Sequence, residues 1–240
     1  MNETTKQKPA ATPYQNFKKV LVCNHEAGHV VVGHVLGWRL AWAKVGNDLN
    51  GVAFKREGLE PPFSAPTKRE KFRRISALRR ALAVYSAGHV AATIHQQVVE
   101  ERGFSYRDEA RAYRINRQAR ISQVFPRKVN DVKSDYGRVV ACAEDIYEGR
   151  LCASAPFPIL FCSPLNYIEP QAPLPEDVQD RDAAILAEIR HAEARAERII
   201  KQHWGAFVAI AHALHESKTG HLSRARLLRL LKDHGVKARA

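Results

Sequence analysis

"VCNHEAGHVVVGHVLGWR", residues 22–39, sets histidines and a glutamate inside an otherwise apolar run. Burying such groups is costly unless they are paired or used. From about Asn16 to Leu36 the apolar residues recur with a helical period, and Gly37 is a natural C-terminal stop. On that helix His25 and His29 lie four residues apart and project from one side, so two imidazoles can reach one ion. Glu26 is rotated by about 100° around the axis, within reach of a water at the ion's open position.

This HExxH spacing is the metal-plus-base arrangement of a zinc peptidase. Zinc lowers the pKa of its water toward neutrality, and Glu26 would take the proton as the water attacks a carbonyl. Gly28 keeps the helix surface low beside the pair. A catalytic zinc needs a third protein donor from elsewhere in the chain. His34, nine positions after His25, points nearly the opposite way and is left out. His212 and His215 read as packing or surface residues of an apolar C-terminal helix. The other histidines have no comparable spacing with a carboxylate.

Outward from this helix, residues 1–16 read as a flexible tail and 17–235 as one domain. "RLAWAKV" (39–45) and "GVAFKRE" (51–57) alternate around "GNDLN" and read as a β-hairpin. A long helix follows "SAPTKRE" (64–70), with Thr67 as N-cap, Glu70 completing a capping box, and a potential break near Gly88. Residues 104–128 read as a basic helical stretch closed by Pro126, in a basic insertion near 104–130. "SDYGRVVACAEDIYEG" (134–149) reads as a helix capped by Ser134 or Asp135. Six prolines between 150 and 176 mark a loop. Two helices close the chain, 177–215 with a bend at Trp204–Gly205, and 222–234. The predicted fold is mostly α: a helical zinc-peptidase domain with a small β-hairpin and an HExxH active-site helix.

The hydrophobic fraction of 45% argues against extensive disorder. The first residues are polar and lack a signal-peptide pattern, and no run approaches the ~20 apolar residues of a membrane span, which points to the cytoplasm. Cys23, Cys142, Cys152 and Cys162 form no CxxC pair and read as reduced, mostly buried thiols. The net charge of +13 bears on partners rather than fold. Arg111, Arg114, Arg117 and Arg120 recur every three residues and would draw a basic stripe along a helix. Its plain reading is a solvated face; its sharper one is a surface for an acidic protein, a membrane or nucleic acid. No nucleic-acid-binding signature accompanies it, which disfavours that class.

The wider sequence resembles a known family. "HEAGHVVVGHVLG" (25–37), followed by a hairpin containing "GVAF", resembles the start of the peptidase domain of FtsH-type AAA+ zinc proteases. "LAVYSAGHVAA" (82–92) is similar to that family's alanine- and glycine-rich helix after the hairpin. "SDYGRVVACAEDI" (134–146) resembles the segment in which an aspartate opening a helix supplies the third zinc ligand. Residues 185–216 and "LSRARLLRLL" (222–231) are similar to the closing helices. The resemblance covers about residues 18–232; it is specific at HEAGH and diffuse elsewhere.

It implies His25, His29 and Asp135 as zinc ligands and Glu26 as the catalytic carboxylate. Asp131 competes with Asp135; Asp135 is preferred because Ala143 then falls where the family helix has a small residue. Glu144 and Glu148 remain as further alternatives, and Asp135 also suits a plain N-cap. The chain departs from the family at Ala92–Thr93, where a glutamate is usual, and in its longer basic segment. It contains no GxxxxGK[ST] phosphate loop. The expectation is a stand-alone zinc-dependent endopeptidase acting on unfolded or flexible polypeptide, with an acidic protein, a separate ATPase or an oligomer left open as partners. The rivals are a non-catalytic metal-binding or regulatory protein on the same fold, and a basic surface-binding protein using the arginine-rich stretch.

Overall fold

A computed structural model describes residues 13–46, 50–54, 68–102, 135–147 and 178–238. Among these are six helices and three strands, in agreement with a mostly α fold. Helix α1 (Pro13–Val35) starts earlier than Asn16, with Pro13 at its first position, where a missing N–H costs nothing. From Glu26 to Gly33 every residue is buried, so this part of the helix is enclosed on all sides. It ends as expected. Gly37 takes a φ of +88°, Trp38 N–H donates to the Gly33 carbonyl at 2.8 Å, and Gly37 N–H donates to His34 at 3.0 Å. This is a Schellman stop, which needs the left-handed backbone glycine adopts freely.

Strands β1 (Leu40–Lys44) and β2 (Gly51–Phe54) pair antiparallel, with a bulge between Leu40 and Trp42. The hairpin is therefore present. A third strand, β3 (His221–Ser223), pairs with the other edge of β1, giving the order β2-β1-β3. This corrects the expectation that the last helix begins at Leu222. Val45 N–H donates to the Gly220 carbonyl at 2.8 Å, and Ser223 caps the following helix by accepting from Arg226 N–H. The pull of a neighbouring strand outweighs local helical periodicity here.

Helix α2 (Lys68–Arg102) is continuous, so the potential break at Gly88 does not occur. Its cap residue Thr67, the basic segment with Arg111, Arg114, Arg117 and Arg120, and the proline-rich loop lie outside the described residues, as does the side chain of Glu70. Helix α3 (Asp135–Tyr147) packs on α2 and on α4 (Val178–Gln202). The stretch expected as 177–215 divides into α4 and α5 (Trp204–Glu216), separated at His203, whose φ of −114° and ψ of 36° leave the helical region. The bend thus lies one residue before Trp204. Helix α6 (Arg224–Asp233) closes the described fold. One contiguous core joins Val30 and Val31 of α1, Leu82 of α2, Ile185 and Ile200 of α4, Phe207 and Leu214 of α5, and Leu227 of α6. No described helix is long and apolar enough to cross a membrane.

Helices α1 and α2 touch through small residues. A Cβ on Gly28 would lie 2.6 Å from both the Ala87 carbonyl oxygen and the Ala91 Cβ. Anything larger than hydrogen at residue 28 would push the helices apart, and this close crossing brings α2 backbone within reach of α1 side chains.

Candidate metal centre

The crossing decides the chemistry of His29. Its ring is buried, and Nδ1 lies 2.8 Å from the Val84 carbonyl oxygen of α2. A carbonyl only accepts, so Nδ1 carries the hydrogen, and Nε2 keeps the lone pair a metal requires. The Nε2 atoms of His25 and His29 converge to 3.1 Å, with the ring planes 77° apart. Two ligands about 2.0–2.1 Å from a tetrahedral zinc stand about 3.3 Å apart, so this separation suits a shared ion. His29 is fully enclosed, whereas His25 is partly exposed, so the pair opens toward solvent on the His25 side. Glu26 is buried on the same turn.

Gly88 is the residue that sequence reasoning undervalued. A Cβ built there would fall 2.5 Å from Nε2 of both His25 and His29. The room in front of the two nitrogens is the space of a side chain that residue 88 does not have. The alanine-rich spacing of Ala83, Ala87 and Ala91 around Gly88 is the signal that a close helix crossing runs through this point.

Two contacts fix the direction of α3 against α2. The Cys142 thiol donates to the Leu78 carbonyl at 3.3 Å, and the Arg138 guanidinium lies 6.0 Å from the centre of the Tyr85 ring. Helix α3 therefore runs antiparallel to α2, and Asp135, its first residue, opens beyond Tyr85 in the direction of Gly88. The side chain of Asp135, and all of Asp131 and Glu148, lie outside the described residues. Glu144 sits at the other end of α3, near Leu78, about 15 Å along α2 from Gly88 at 1.5 Å rise per residue. That distance removes Glu144 as a partner of the histidine pair. Among the described residues no group of three His, Cys, Asp or Glu side chains is assembled.

Cys23 is buried, and that burial pushes its thiol up to about 11; Lys19 opposes the shift and Glu26 adds to it. It is a protonated packing group at neutral pH. His34, on the far side of α1, is held below the ordinary imidazole value by burial. His89, which spacing alone left without a partner, is buried with Nε2 2.6 Å from a carboxylate oxygen of Glu193 on α4. That pair spans 104 residues, too far for any local pattern to register. The two converging imidazoles, the fixed tautomer and the cradle at Gly88 are of a kind that suits a divalent transition metal, with the further donors it needs not among the described residues. Compared with known protein families and with curated proteins, the chain matches none.

Proposed function

We propose that the chain is a zinc-dependent endopeptidase of the FtsH-like kind, acting on unfolded or flexible polypeptide. The observation that carries this reading is the convergence of the His25 and His29 Nε2 atoms at 3.1 Å beside a glycine that leaves the space before them open. His25 and His29 would hold the ion, with a carboxylate from Asp135 or Asp131 as third donor. Zinc there supplies Lewis acidity toward a peptide carbonyl oxygen and toward water. The Val84 carbonyl keeps His29 in its Nδ1–H tautomer, and α2 holds the ring against rotation. Glu26 accepts the proton of the water that adds to the scissile carbonyl carbon. It returns that proton to the amide nitrogen as the C–N bond breaks.

The test pairs metal content with hydrolysis. The parent protein should carry one zinc per chain and cleave unfolded casein, and His29→Ala should lose both. Glu26→Gln should keep the metal and lose cleavage, since an amide cannot accept the proton. Asp135→Ala should lower zinc content and Asp131→Ala should not. A parent that binds zinc but cleaves no unfolded substrate would favour a non-catalytic metal-binding protein.

A further inference from the structure

We propose that the groove between α5 and α6 docks an acidic amphipathic helical segment of a partner polypeptide. The groove holds about 820 Å³, and neither His25 nor His29 lines it. Gly205, Val208, Ala209 and Ala213 of α5 form one wall, low because the side chains are small, while Leu222 and Leu230 contribute apolar surface opposite. Val208 is 45% exposed, and it and Phe72 are the exposed large hydrophobic side chains among the described residues. Val208, set among Gly205, Ala209 and Ala213, gives this groove an exposed apolar floor.

Charge selects the partner. Arg226 lines the groove, and Arg224, Arg229 and Lys232 stand exposed along the same short helix, with Lys218 in the preceding turn. None of these five cations has an ion-pair partner among the described residues. One acid, Glu216, lines the groove itself, 3.6 Å from His212, and Asp233 follows Lys232 on the same helix as the arginines. An apolar trough lined by Arg226, on a helix whose cations have no ion-pair partner among the described residues, matches a guest helix with one apolar stripe and acidic flanks. From Gly205 to Glu216 the trough spans about 17 Å, three turns of a guest helix, with anchors at i, i+3 or i+4, and i+7. A polynucleotide is the poorer match: it has no apolar face for Val208, and Trp204 is turned onto Phe207 with ring centres 5.0 Å apart rather than offered as a stacking platform.

The full chain is titrated, by fluorescence anisotropy near physiological salt, with a labelled peptide of about 18 residues carrying leucines at i, i+3, i+4 and i+7 and glutamates elsewhere. The patterned peptide should bind about tenfold tighter than a scrambled peptide of the same composition. Val208→Arg should weaken binding by about tenfold although it adds positive charge, because it fills the seat of the apolar stripe. Arg226→Glu combined with Arg229→Glu should also weaken it, with an unchanged circular dichroism spectrum. Equal binding of patterned and scrambled peptides, or tighter binding by Val208→Arg, would overturn the proposal in favour of diffuse charge attraction. An oligonucleotide that outcompetes the patterned peptide, or a dimer that Val208→Arg dissolves in the absence of peptide, would overturn it in favour of nucleic acid or a second copy.

Discussion

Gly88→Ala separates the metal reading from ordinary stability. The new Cβ would sit 2.5 Å from Nε2 of both His25 and His29, against an ordinary contact of about 3.5 Å. Each ring would have to retreat by about 1 Å, and both cannot do so while still meeting at one point. On the stability side two effects oppose each other. Alanine favours a helix interior by ~1 kcal/mol over glycine, whereas overpacking costs ~1–3 kcal/mol. The metal-free variant should therefore lie between roughly equal stability and ~2 kcal/mol below the parent, a Tm loss of at most ~8 °C. Zinc affinity should fall far more. Disturbing groups that merely orient ligands costs ~10–100-fold, so displacing the ligands themselves should cost ~100-fold or more. Chelator-competition titration reads the affinity, and melting in EDTA reads the fold. Gly51→Ala, where an added Cβ meets nothing within 4 Å, serves as control and should bind zinc like the parent. A folded Gly88→Ala protein with parental zinc affinity would refute the reasoning, because the space before the two nitrogens would then have no role.

Three further outcomes follow from the geometry. His34 and His95 are both held below the ordinary imidazole value, chiefly by burial, so the unfolded chain binds more protons than the folded one below about pH 6.5. Stability should thus be complete above that pH and fall as pH drops toward the lowered folded-state values; His95→Gln should flatten the dependence of Tm between pH 7 and 5, and an unchanged slope would exclude His95 from it. Glu193→Ala should cost ~1–3 kcal/mol in urea unfolding, because it strips a buried imidazole of its carboxylate partner; a loss under ~0.5 kcal/mol would mean that water replaces the carboxylate at no cost. Gly220→Ala should destabilise by more than ~2 kcal/mol, since φ is +64° and a Cβ would collide with the Val45 carbonyl that stands beside the β1–β3 junction; hydrogen exchange at β3 should speed up, and unchanged protection would show that the turn adapts.

The features legible in the residues alone are local ones. The periodicity of residues 16–36 with Gly37 behind it set the HExxH helix and its stop, because a helix and a Schellman turn depend on neighbours a few residues away. Alternation around "GNDLN" set the hairpin for the same reason, and the HExxH spacing put two imidazoles on one face whatever surrounds them. The tertiary structure decided everything that needs distant residues to meet. Val84 reaches His29 across 55 positions, and that contact selects the tautomer. Gly88 reads locally as a weak point in a helix, yet against α1 it is the room in front of the histidine nitrogens. Leu222 and Ser223 read locally as the start of the last helix, yet β1 draws them into a strand by offering an edge. His89 and Glu193 lie 104 residues apart, so their pairing became visible only when α2 and α4 packed.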